Sequence, residues 1–176
     1  MTIPEQFLLG MGGQSIESAA SLGLSFVYGV FPYIPQDPVE LAKSLSEKYR
    51  SNFKAGTHSK PSNFVLAVFV VIADTSEEAE KMAKPLDLWM LGKQDFSEFY
   101  TFPTEKDVEE YELTQRDREK IASNRSRLIV GNPREVYEQM EALRAVSNPD
   151  ELLFIPLVGS IEKRKRSVEL LAELYK

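Results

Sequence analysis

The run Phe64-Val65-Leu66-Ala67-Val68-Phe69-Val70-Val71-Ile72-Ala73 constrains the fold of this chain more than any other feature. It has no polar position, so it cannot be a strand with one wet face. An unbroken apolar, largely β-branched run reads as a strand covered on both faces, as in a parallel sheet between helices. It has about half the length a membrane span needs. Asp74-Thr75-Ser76-Glu77 follows at once and reads as a capping box that opens a helix.

The same alternation recurs along the chain. Phe7–Gly10 reads as a strand and Ser15–Leu22 as a short helix stopped by Gly23. Leu24–Tyr28 reads as a second strand, and Pro32, Pro35 and Pro38 mark a loop. Asp37 caps a helix with Pro38 at its first position, and Val39, Leu41, Ala42, Leu45 and Tyr49 form its apolar stripe. Ser51–Asn63 reads as loop and Phe64–Ala73 as the third strand. The helix after it is expected to end near Lys84, before Pro85. Residues 86–106 fit no pattern, and the charged stretch 104–122 reads as helix. Asn132-Pro133 opens a helix to about Val146, Leu152–Val158 reads as the fourth strand, and Ile161–Tyr175 as a closing helix.

Strand–helix alternation predicts α/β architecture with parallel strands and outer helices. At 176 residues, 43% of them hydrophobic, the chain suits a single domain over 1–176 with a real core. A closed eight-stranded β/α barrel needs at least about 200 residues and twice the four strands read here, so this chain is too short for one.

The chemistry-bearing stretch is Phe7-Leu8-Leu9-Gly10-Met11-Gly12-Gly13-Gln14-Ser15. A strand enters a glycine-rich turn that opens a helix, which aims backbone N–H groups at one point and suits a phosphate. The same turn is also an ordinary strand-to-helix connection with no ligand. A net charge of −6 argues against nucleic acid as a partner. The absence of cysteine removes disulfides, thiolate metal sites and a cysteine nucleophile, and is compatible with a cytoplasmic protein. No signal peptide or membrane segment is expected. His58, the single histidine, lies in a loop, and neither a metal site nor a catalytic triad is expected. The run Lys163-Arg164-Lys165-Arg166 and the carboxylates Glu105, Asp107, Glu109, Glu110 and Glu112 read as solvated helix faces.

Several stretches, in order, resemble the bacterial luciferase-like flavin monooxygenases. Phe7-Leu8-Leu9-Gly10 matches the family's strand before a Gly/Ser-rich turn, and Ser18–Phe26 is similar to its "AA-x-LGLPF". Tyr49-Arg50-Ser51-Asn52-Phe53 resembles "YR-x-x-F", Ala73–Ala79 "ADT-x-EEA", and Val130-Gly131-Asn132-Pro133 "VGSPE". Asp150–Leu153 with Arg166–Ala172 is similar to the C-terminal "DEL … RSYELLAE".

The resemblance covers this whole chain but only the C-terminal half of the family's. It implies a half TIM-type β/α barrel of about four parallel strands with outer helices, the family's barrel strands five to eight without one to four. It also implies FMN, oxygen and a small organic substrate, with Met11, Gly12, Gly13, Gln14 and Ser15 at the flavin phosphate. Tyr28, Val30 and Phe31 then match the region near the flavin ring, where an aromatic side chain stacks on the flavin or simply covers the sheet end. Pro156, Leu157, Gly159 and Ser160 stand where the family often has Thr-His, Tyr and Asp, so polar active-site groups are missing there. The implied function is an FMN-dependent monooxygenase. The alternative is a non-catalytic half-barrel remnant whose bare sheet flank makes it self-associate or dock on a separately encoded N-terminal half.

Overall fold

A computed structural model describes residues 4–31, 37–55, 61–92 and 101–176. The fold is α/β with parallel strands and surrounding helices, which a partial β/α barrel fits. The chain divides into two compact units: Met1–Val68 with Glu141–Phe154, and Phe69–Met140 with Ile155–Lys176.

In the first unit, β1 (Phe7–Gly10) pairs in parallel with β2 (Ser25–Val30), placing Gly10 beside Tyr28. β2 pairs in parallel with the first half of β3 (Phe64–Ile72), placing Phe26 beside Phe64. All nine residues of β3 are buried, as its unbroken apolar run requires. α1 (Gly13–Leu22) buries Ile16, Ala19 and Ala20 and stops at Gly23, whose φ of 66° is the left-handed conformation expected of a terminal glycine. α2 (Pro38–Asn52) starts where Asp37 accepts from the N–H groups of Val39 and Glu40.

Tyr49 ties this unit together. Its buried ring lies 6.0 Å from Phe26 and 6.1 Å from Phe64. Its hydroxyl donates to the Leu24 carbonyl at 2.8 Å and accepts from the Asn63 N–H at 3.2 Å. At the start of β3, Asp150 accepts from the Phe64 N–H and from Arg50, while the Asp150 N–H donates to the Phe64 carbonyl.

In the second unit, the end of β3 pairs in parallel with β4 (Ile129–Gly131), a fifth strand absent from the sequence reading. Three residues carry too little pattern to be read as a strand. α3 (Ser76–Trp89) is capped by Thr75 through the Glu78 N–H, and it continues through Pro85 instead of ending before it. The proline costs about 3 kcal/mol in a helix interior. Burying Leu86 and Leu88 returns about 1.5–3 kcal/mol each, so the helix persists.

The expected helix over 104–122 is in fact two helices, α4 (Glu105–Glu110) and α5 (Gln115–Arg125). Thr104 with Asp107, and Thr114 with Asp117, form reciprocal capping boxes that start each one. Arg125 of α5 grips the buried Asp87 of α3 with two hydrogen bonds, of 2.6 and 2.9 Å. Lys120 and Asn124 satisfy carbonyls at the end of α3. α6 (Pro133–Ser147) begins at Asn132, whose side chain and backbone exchange hydrogen bonds with Glu135. β5 (Glu151–Pro156) pairs with β3, and α7 (Ile161–Leu174) follows, capped by Ser160.

Candidate functional site

The β1–α1 turn is built by close approach at one glycine and openness at another. A Cβ on Gly10 would collide with Oγ and Cβ of Ser15, so the turn folds back over Gly10 only because that residue has no side chain. Ser15 Oγ donates to the Gly12 carbonyl at 2.8 Å. Gly12 is the N-cap residue, in an extended conformation (φ −153°, ψ 177°), and no side chain caps the helix. A Cβ on Gly12 would meet nothing within 4 Å among the described residues. The first turn of α1 contains no acidic residue.

An uncapped helix start directs the N–H groups of its first residues, Gly13, Gln14 and Ser15, outward with partial positive charge. A second source of positive charge stands beside it. Lys48 of α2 reaches the turn, with Nζ 3.7 Å from where a Cβ on Gly13 would lie. Its ammonium also pairs with Glu17 at 2.5 Å, and both side chains are solvent-exposed. The donor set is therefore helix N–H groups and one lysine, the Ser15 proton being engaged by the Gly12 carbonyl, with the Glu17 carboxylate competing for that lysine. This is the chemistry of an anion site, and a phosphate fits it.

Sequence reading missed Lys48. It directly precedes the buried Tyr49, at the margin of the α2 apolar stripe, and only the folded structure brings it to the glycine turn.

The other sequence-derived residues are placed differently. Met11 is partly exposed beside the turn. Tyr28 is fully buried, on the same face of β2 as Phe26, with its ring 6.5 Å from Phe64. Phe31 is buried, and its ring occupies the space above Gly29. His58 lies outside the described residues. Among the described residues no group of three or more His, Cys, Asp or Glu is arranged to hold a metal ion, and no helix is long and apolar enough to cross a membrane.

The residues after β5 line a cleft of about 260 Å³ in the second unit. Met82, Pro85, Phe102 and Val158 give it apolar walls, and the 2.6 Å ion pair between Lys163 and Glu105 stands at its polar end. The hydrogen bond from Lys163 holds the Glu105 carboxyl below its ordinary range. The hydroxyls of Thr104 and Ser160 are both used as helix caps. The basic run is engaged locally: Arg164 donates to the Val158 carbonyl and Arg166 pairs with Asp74.

Comparison with known proteins places these features in a family context. The family model described as luciferase-like monooxygenase matches residues 2–147. The uncharacterized protein YceB of Bacillus subtilis is 32% identical over 99% of this chain and 51% of its own length. The chain thus spans about half the length of the curated relatives it matches. The crystal structure of apo-MsnO8 superposes with a TM-score of 0.78 at 25% identity, covering 98% of this chain and 51% of that one. The oxygenating constituent of 3,6-diketocamphane monooxygenase of Pseudomonas putida, solved in complex with FMN, shares the fold. It has a TM-score of 0.62 at 17% identity, covering 95% of this chain and 46% of that one.

Proposed function

Because this chain belongs to the luciferase-like monooxygenase family, we propose that it supplies the flavin phosphate site of an FMN-dependent monooxygenase acting on a small organic substrate. One observation carries the reading: the start of α1 is uncapped, opens onto free space at Gly12, and has Lys48 beside it. Met11, Gly12, Gly13, Gln14 and Ser15 form the cradle. The N–H groups of α1 bind the phosphate oxygens and Lys48 offsets their charge. Gly10 keeps Ser15 folded inward, so the cradle is in place before the ligand arrives.

When bound, FMN supplies the redox chemistry with oxygen that the side chains of this chain lack. The protein's part is anchoring and orientation. Tyr28, beside Gly10 in the sheet, supports the turn from within the core. The resemblance to the FMN-bound Pseudomonas fold supports the choice of flavin.

Absorbance between about 350 and 500 nm, with and without FMN, tests this directly. Purified protein that retains a flavin spectrum after desalting, and shows reductase-dependent oxygen uptake, is expected. Protein that stays colourless and leaves FMN fluorescence unquenched refutes it.

A further inference from the structure

The cleft of about 260 Å³ in the second unit has an apolar body and a charged rim. Met82 and Pro85 of α3, with Phe102 and Val158, make the body, and Met82 and Val158 are themselves buried. Phe102 closes on Gly159, where an added Cβ would lie 3.3 Å from its ring. A thioether, a proline ring and an aromatic ring together suit a flat apolar group. A water-sized group takes about 30 Å³, so the volume holds a ligand of about nine non-hydrogen atoms.

The rim decides the charge of that ligand. The Glu105 carboxylate meets two ammonium groups there. Lys163 hydrogen-bonds it at 2.6 Å, and the charge of Lys81 acts on it as well. Arg164, which donates to the carbonyl of the lining residue Val158, brings a third cation to this end. The lining hydroxyls of Thr104 and Ser160 already donate to Asp107 and Glu162, whose charges are offset by the positive ends of α4 and α7. Glu105 is 58% exposed, and an ion pair that open holds weakly. An incoming carboxylate therefore takes the place of Glu105 at Lys163, while Glu105 turns to water and keeps the field of Lys81. An ammonium ligand would instead meet cations on three sides.

We propose that this cleft binds a small aromatic carboxylate, its ring among Met82, Pro85 and Phe102 and its carboxylate at Lys163. The site is independent of the flavin reading, since none of Met11, Gly12, Gly13, Gln14, Ser15 and Lys48 lines it.

Benzoate, with nine non-hydrogen atoms by its formula, is a probe of about the right size. Trp89, the single tryptophan of the chain, reports on the site because its ring lies 5.9 Å from that of Phe102. Benzoate is expected to change its fluorescence saturably with a Kd of about 1 mM or tighter. Amide shifts in a parallel NMR titration should centre on Gly159, Ser160 and Lys163. Benzamide keeps the ring without the charge and should bind at least about tenfold more weakly. Benzylamine, with the opposite charge, should not bind. Lys163→Gln, at a partly exposed position, should keep its far-UV circular dichroism, weaken benzoate several-fold and leave benzamide unchanged. Phe102→Ala should weaken both. The proposal is overturned if benzoate does not bind, if its shifts centre elsewhere, or if benzamide or benzylamine binds as tightly. It is equally overturned if Lys163→Gln binds benzoate as the wild type does.

Discussion

Gly12→Asp separates a glycine kept for a ligand from one kept for a turn. The Gly12 backbone is extended, and an added Cβ has open space, so the substitution carries no steric penalty. An aspartate there can accept from the N–H of Gln14 or Ser15, a cap worth a few tenths of a kcal/mol over glycine. Its charge at a helix start adds about 0.3–1 kcal/mol, and the reduced freedom of the unfolded chain about 0.4–1 kcal/mol. These contributions overlap, so the expected gain is about 1 kcal/mol, read as a raised urea midpoint at unchanged slope. The same carboxylate occupies the N–H groups assigned to the phosphate and repels it. Affinity for FMN should therefore fall at least about tenfold, or roughly 1.4 kcal/mol, by fluorescence quenching. Loss of stability would show that the turn itself requires glycine. A stabilised protein with unchanged FMN affinity would show that the phosphate binds elsewhere.

Other perturbations follow from the same contacts. Glu17→Gln releases Lys48 from its carboxylate partner and should tighten FMN binding about two-fold in the same quenching titration. Tyr49→Phe removes the partner of both the Leu24 carbonyl and the Asn63 N–H, and should cost about 1–3 kcal/mol in urea unfolding. Asp87→Ala leaves Arg125 without its two-bond partner. With Arg125 20% exposed and still in reach of Glu80, the expected loss is about 1–3 kcal/mol, below that of a fully buried pair.

Hydrogen bonds from Arg166 to Asp74, from Lys163 to Glu105, and from the Asn132 backbone to Glu135 hold these carboxyls below their ordinary range. Their stabilisation is present above that range and lost as pH falls through the lowered values. Burial raises Asp87 instead, against the pull of Arg125, so its contribution runs the opposite way, with protonation favouring the fold. Asp107 and Glu162 are lowered too, by hydrogen bonds from Thr104 and Ser160, so among the described residues five carboxyls outweigh one and the urea midpoint should fall on acidification below about pH 4. Asp87→Asn should make that fall steeper.

The parts legible in the sequence were those governed by neighbours along the chain. The apolar run of β3, the Asp37-Pro38 start, the Gly23 stop and the Asn132-Pro133 start all act within a turn or a strand, and each appears where its residues indicate. The exceptions depend on distant packing. Pro85 stays helical because Leu86 and Leu88 are buried, and no local rule weighs that burial. β4 exists because Ile129–Gly131 pairs with the end of β3, from which it is more than fifty residues removed. At the candidate site, the glycine turn and Ser15 were readable as a motif. Lys48 was not, because its place beside Gly13 depends on how α2 lies against α1.

FMN and riboflavin differ only in the phosphate, so titrating the wild-type chain with both isolates the contribution of the α1 cradle. FMN should bind at least about tenfold more tightly at low salt. That preference should shrink as ionic strength rises and shrink again in Lys48→Gln, while riboflavin affinity stays the same. Equal affinity for the two flavins, indifferent to salt and to Lys48, would contradict a phosphate site at the start of α1.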